Sequence, residues 1–134
     1  MTQDEKDLLL KDLCARLPYN PMVEYKGETY NVLGITHERL ILCKPFMSYT
    51  LDELPLVEEV KPYLFPLSSM TEEEKKEYRK ACELDTEILS KCPMDGTPFP
   101  ALYNSQDWIN AYNFDYRGLI PMGLANDATG KNIY

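Results

Sequence analysis

Lys61-Pro62-Tyr63-Leu64-Phe65-Pro66-Leu67-Ser68-Ser69-Met70-Thr71-Glu72-Glu73-Glu74-Lys75-Lys76-Glu77-Tyr78 is the stretch around which the rest of the chain is arranged. Pro62 and Pro66 lack a backbone donor and push the residues before them out of the helical region, so 61–67 reads as an extended, semi-rigid connector. Its apolar residues, Tyr63, Leu64, Phe65 and Leu67, predict that it lies against other parts of the chain. Thr71 then opens a helix. Its hydroxyl can accept from the Glu74 amide while the Glu74 carboxylate accepts from the Thr71 amide, a capping box. Glu72, Glu73 and Glu74 fall in the first turn, where carboxylates suit the positive helix end. Capping therefore accounts for the acidic run without an anionic binding role. The spacing carries this helix over 72–91, with Tyr78, Ala81, Cys82, Leu84, Ile88 and Leu89 as its apolar side.

Working back from the joint, residues 3–17 have the period of an amphipathic helix, with Leu9, Leu10, Leu13, Cys14 and Leu17 as its stripe. Thr2 and Glu5 make a second capping box, and Pro18 stops the helix. The period then changes. Segments 22–26 and 29–35 flank Gly27, whose tolerance of positive φ predicts a tight hairpin. Leu40-Ile41-Leu42-Cys43 is an apolar run of strand length, reached through Thr36-His37-Glu38, and it reads as the third strand of a meander. Between Lys44 and Val60 alternatives stay open. Residues 46–50 fit a fourth strand, 51–54 fit one helical turn capped by Thr50 and Glu53, and 56–60 fit a last strand or a continuation of that turn. This half is expected to form a small antiparallel sheet or SH3-like partial barrel of three to five strands.

Forward of the joint, the proline and glycine density of 93–104 forbids a regular element. Ser105 is expected to cap a short helix over 106–113, with Trp108, Ile109 and Tyr112 on one face. Gly118 is the natural left-handed residue after Phe114-Asp115-Tyr116-Arg117. Residues 119–125 read as an apolar return segment and 126–134 as a polar, frayed tail. The fold class is α+β: an N-terminal helix, a small sheet, a long helix and a short C-terminal helix. It is read as one domain over 1–134, with a helix and β-rich part (1–60), a connector (61–71), a helical part (72–125) and a tail (126–134).

The 134 residues carry a net charge of −8. Residues 1–61 and 62–134 each hold 11 acidic and 7 basic groups, so neither half hides a basic segment. Nucleic-acid binding relies on such a segment to displace counterions, and the charge disfavours it. No apolar run approaches the roughly 18 residues of a membrane span. The acidic start, Met-Thr-Gln-Asp-Glu-Lys-Asp, is the opposite of a secretory signal, and a cytoplasmic setting is expected. Cys14, Cys43, Cys82 and Cys92 include no CxxC pair. Cys14, Cys43 and Cys82 are expected to be small buried hydrophobes. His37 is the only histidine, so no multi-histidine metal site can form, and His37 with three cysteines matches no standard zinc spacing. No nucleophile elbow or phosphate-cradling glycine loop occurs. No catalytic residue, cofactor or metal is assigned.

The unusual feature is aromatic: Phe99, Tyr103, Trp108, Tyr112, Phe114 and Tyr116 fall within 18 residues. Tyr and Trp join apolar area to a polar tip, which suits core edges and interfaces alike. Trp108, Tyr112, Tyr116 and Arg117 are the candidate interaction residues. The competing expectation is that Trp108, Phe114 and Leu119 pack the C-terminal unit onto helix 72–91. Asp115 and Arg117 are either a functional pair or, two apart in a turn, bonded to backbone groups or to each other. The leading functional reading is a small non-enzymatic protein-binding or adaptor domain with another protein as partner. The alternatives are an enzyme or enzyme modulator, its site assembled only in three dimensions from His37, Asp107, Asp115 and Arg117, and a nucleic-acid-binding barrel.

Three segments carry a resemblance: Leu10-Lys11-Asp12-Leu13-Cys14-Ala15-Arg16-Leu17-Pro18-Tyr19, the Lys61 to Tyr78 stretch, and Phe114-Asp115-Tyr116-Arg117-Gly118-Leu119-Ile120-Pro121-Met122-Gly123-Leu124-Ala125. Together they resemble a group of uncharacterised proteins of Bacteroides-type gut bacteria and their prophages or other mobile elements. The resemblance covers about 40 residues and is weaker over 20–60. It implies a bacterial or phage setting and carries no activity, cofactor or catalytic residue.

Overall fold

In the computed structural model, which describes residues 1–45, 50–91 and 104–134, the proline-bracketed stretch is no connector. It is a strand at the heart of a six-stranded mixed sheet. The elements in chain order are α1 (Gln3–Arg16), β1 (Met22–Tyr25), β2 (Glu28–Thr36), β3 (Arg39–Cys43), β4 (Lys61–Pro66), α2 (Glu72–Lys91), α3 (Asn104–Ala111), β5 (Phe114–Asp115) and β6 (Asn126–Asp127). The strands run β3-β2-β1-β4-β5, and β6 also pairs with β4. The first four are antiparallel neighbours, whereas β5 and β6 pair with β4 in parallel.

Two prolines survive in a central strand because of where they point. Across a trans peptide, one residue's carbonyl and the next residue's N–H leave opposite sides of the chain. Leu64 O accepts from Ala128 N and Phe65 N donates to Asn113 O, both at 2.8 Å. So β6 and β5 lie on opposite sides of β4. Pro62 and Pro66 are two residues from Leu64 on either hand, and their nitrogens face the β6 side. That side is paired only at Tyr63 and Leu64, so neither missing N–H breaks a ladder bond. The alternation of prolines limits β6 to two residues.

Both expected capping boxes form. Glu5 N donates to Thr2 Oγ1 and Thr2 N to the Glu5 carboxylate; Glu74 N and Thr71 N make the same exchange. The hairpin turns at Lys26-Gly27, with φ of 50° and 78°. The helix over 72–91 has the expected bounds.

Other expectations are corrected. On α1 the buried face is Leu9, Asp12, Leu13 and Arg16. Of the three described cysteines, Cys14 is exposed, Cys82 is half-buried and Cys43 is buried. The helix has turned so that a buried ion pair takes part of the apolar stripe's place. Thr50 caps no helical turn; it bridges Cys43. A 3₁₀ turn (Val57–Glu59) follows, and the Leu56 N–H donates to Glu59. The tail 126–134 is not frayed: it supplies β6, and Ala128 is buried. The readings for 46–49 and 93–103 lie outside the described residues. The main core joins Leu9 and Leu13 to Val23, Leu40, Leu42 and Leu64 of the sheet and to Leu119 and Leu124 of the return segment.

Candidate functional site

α2 and α3 run antiparallel, with Asp85 beside Asn104 and Ser105 at one end and Glu77 and Tyr78 beside Trp108 further along. The cap of α3 comes from across the interface. Asp85 Oδ1 accepts from Asn104 N at 2.6 Å, and Oδ2 accepts from Ser105 N at 2.9 Å and Ser105 Oγ at 2.6 Å. The expected Ser105 cap is thus corrected: Ser105 is inside the helix and donates. The Ser105 hydroxyl and backbone amide, and after them the backbone and side-chain amides of Asn104, hold the Asp85 carboxyl down at about 2. Sequence spacing gives no sign of a cap contributed from 19 residues upstream.

Between the two helices runs a shallow groove of about 400 Å³. Ala81, Leu84, Trp108 and Tyr112 line it, with Glu77 and Lys80 on its rim. α2 is 20 residues long, yet among its residues only Ala81 is buried, while Leu84 and Leu89 are 47% and 59% exposed. On α3, Trp108 is half-buried. It stacks on Tyr112 (centroids 4.4 Å apart) and on Phe114 (5.8 Å), tilts against Tyr78, and donates Nε1–H to Glu77 at 3.3 Å. Tyr112 remains 45% exposed. Trp108 therefore packs α3 onto α2, and its ring also lines the groove. Leu119, by contrast, belongs to the main core.

The other two candidate interaction residues sit elsewhere. Arg117 Nε donates to Asp12 Oδ1 at 3.2 Å and its Nη2 to the Tyr116 hydroxyl at 3.1 Å; that hydroxyl donates to Asn110 Oδ1 at 2.9 Å. Asp12 is also held by Arg16, through Nε at 2.9 Å and Nη2 at 3.1 Å, and Arg16 Nη2 reaches Phe114 O at 2.7 Å. The Tyr116 ring lies within 5.1 Å of the Arg16 guanidinium carbon and 4.8 Å of that of Arg117. Asp12 and Arg16 are fully buried. This is a structural knot tying α1 to the segment after α3. Asp115 does not pair with Arg117; its two oxygens accept from Leu119 N and Ile120 N, the backbone role weighed for it.

The residues of the enzyme reading are scattered. His37 occupies the exposed β2–β3 turn at φ 56° and lines an open cleft with Glu38, Arg39, Leu54 and Leu56. Asp107 lies by Tyr19, whose hydroxyl pKa is raised by burial first and by Asp107 second. Among the described residues His37 shares no hydrogen bond or ion pair with Asp107, Asp115 or Arg117, and no three His, Cys, Asp or Glu side chains converge on a metal position. No described helix is long and apolar enough to cross a membrane. Compared with known proteins, the chain matches no family model, no curated protein and no solved structure.

Proposed function

We propose that this chain is a small non-enzymatic protein-binding or adaptor domain, working in the bacterial or mobile-element setting that its sequence resemblance implies. Its docking face is the α2–α3 groove. The observation that carries this reading is the exposure of Leu84 and Tyr112 beside Ala81 and Trp108, on a long helix that buries only one residue. Ala81, Leu84, Trp108 and Tyr112 line one groove together, so their apolar area is contiguous and not scattered.

Charge sets the partner's chemistry. Glu77 lines the groove beside Lys80, Glu73 lies one turn before it on the same face of α2, and the chain as a whole is at −8. The fitting occupant is a segment of another protein that offers an apolar side chain to Leu84 and Tyr112 and a basic one to Glu77. The test is crosslinked capture from the native host with a photoreactive residue at Lys80 on the rim, followed by the same capture with Leu84→Asp and Tyr112→Ala. The expected result is one dominant Lys/Arg-rich protein, lost in both variants while their melting temperatures hold. Equal recovery from parent and variants would remove the groove from consideration.

A further inference from the structure

A second site, which adjoins the α2–α3 groove at Tyr112, lies on the flank of β4. β1 and β5 pair with the same side of β4 but do not meet. β1 pairs at Lys61 and Pro62, and β5 at Phe65 and Pro66. Continuing the β1–β4 register places Met22 opposite the Tyr63 carbonyl at the end of β1, and the two are joined through a third group. A side chain fills the gap: Met22 N donates to the Tyr134 hydroxyl at 3.2 Å, and that hydroxyl donates to Tyr63 O at 2.8 Å. A phenol suits this position because one oxygen both accepts and donates. A phenyl group would make neither bond. The Tyr134 ring tilts against Phe65 with centroids 6.0 Å apart.

Tyr134 is also a partition. A cleft of about 390 Å³ and another of about 760 Å³ share Ala111, Asn113 and Tyr134 as walls. The larger presents the amides of Asn20, Asn31, Asn113 and Asn132, and its described wall residues include no Lys, Arg, Asp or Glu. Asn31 stands within β2, where asparagine is disfavoured. Asn113 Oδ1 is buried and has no hydrogen-bond partner among the described residues. Neutral amides with spare donors and acceptors match a peptide backbone.

The segment that carries Tyr134 is held by side-chain packing, Ile133 against Met22 and Tyr63 and Lys131 over the Tyr63 ring, more than by hydrogen bonds. Beyond Ala128, residues 129–132 are exposed. Thr129 N and Lys131 N bond only within the segment, to Asp127 and Ala128. Apart from the Tyr134 hydroxyl, residues 129–134 make no hydrogen bond to the body of the protein among the described residues.

We propose that the gap between β1 and β5 is a 4-hydroxyphenyl site, closed in cis by Tyr134, which takes the tyrosine side chain of an extended partner peptide laid along the merged clefts when the 129–134 strap leaves. The probes are N-acetyl-tyrosinamide and N-acetyl-phenylalaninamide, titrated against the full chain and its Tyr134→Ala variant while the Met22 amide is followed by NMR. The variant is expected to bind the tyrosine probe at least about tenfold more tightly than the phenylalanine probe, because a site built for a hydroxyl rejects the analogue lacking it. The Met22 amide should shift on binding, and the parent should bind at least about tenfold more weakly than the variant, since its own Tyr134 competes. Equal binding of the two probes, or none, overturns the proposal. Where Tyr134→Ala fails to fold, Tyr134→Phe keeps the ring. There the tyrosine probe should slow exchange of the Met22 amide and the phenylalanine probe should not; identical exchange with both overturns it equally. Neither result bears on capture at Leu84, which lines the α2–α3 groove and neither of these clefts.

Discussion

Removing Asp12 should cost more than removing Arg16, although the two are partners in one ion pair. Among the described residues Asp12 is the one carboxylate bonded to two guanidiniums, Arg16 with its side chain 1% exposed and Arg117 at 19%. In Asp12→Leu, Arg16 stays buried with Phe114 O and the Tyr116 ring as its contacts, and one of its nitrogens, Nη1, already lacks a partner. An uncompensated buried charge of this kind costs about 3–5 kcal/mol. In Arg16→Met, Asp12 keeps Arg117 at 3.2 Å. What is lost is two charge-assisted bonds to Asp12 and the bond to Phe114 O, but no buried charge is left without a counter-ion, so the cost should fall below that of Asp12→Leu. The double variant removes both charges and frees Arg117 to turn to solvent. It should lie within about 2 kcal/mol of the parent, so the coupling between the two sites is about 2 kcal/mol or more.

The assay is urea unfolding at neutral pH, followed by the fluorescence of Trp108, the chain's single tryptophan, and by far-ultraviolet circular dichroism. A domain of this class has about 5–15 kcal/mol in total, so each single variant remains measurable. Coincident transitions are required, since α1 and α3 are joined through this knot and should unfold together. A cost below about 1 kcal/mol for Asp12→Leu, or a larger cost for Arg16→Met than for Asp12→Leu, would refute the reasoning.

Two further predictions concern the helix ends. The Asp85 carboxyl titrates at about 2 in the fold and near 3.8 without its Ser105 and Asn104 donors. Its contribution is present above pH 3.8 and lost as pH falls toward 2, so Trp108 emission should report loosening of α3 across that window. Asp85→Asn should abolish that acid step and leave α3 less protected from amide exchange at neutral pH; an unchanged step would assign it to another group. Thr71→Ala should destabilise the fold by about 0.5–2 kcal/mol through the lost cap, read by denaturant midpoint, and leave capture at the α2–α3 groove intact. Loss of capture with stability unchanged would return the acidic first turn to a binding role.

What was legible in the sequence followed from short-range rules. The two capping boxes, the Lys26-Gly27 hairpin, the 72–91 helix and the left-handed Gly118 each depend on residues within four positions of one another. What was not legible depends on partners far along the chain. β5 and β6 are two residues long, below the length at which alternation can be read, and they exist because β4 presents free groups to them. Asp85 caps a helix that begins 19 residues later, and Asp12 meets Arg117 across 105 residues.

The prolines of β4 show how a correct local rule can lead to the wrong element. A missing N–H at 62 and 66 does forbid a helix and does forbid pairing on one side. It does not forbid a central strand when both nitrogens face the same way and that side is meant to hold only a short partner. The pattern Pro62-x-Leu64-x-Pro66 leaves the other side free for β1 and β5, and it is on that side that the two partners stop short of each other at Tyr63. The gap that Tyr134 fills is thus a consequence of the same stretch that reads as a joint. Mobility of the 129–134 strap and stability of the sheet are therefore separable. Tyr134→Phe removes two hydrogen bonds at Met22 and Tyr63 but none of the pairing between β1 and β2 or between β2 and β3. Amide exchange in that variant should rise at Met22 and leave Val32 and Leu42 protected at the parent level. A uniform rise across all three strands would mean that the strap holds the sheet together and does not merely close a site on its flank.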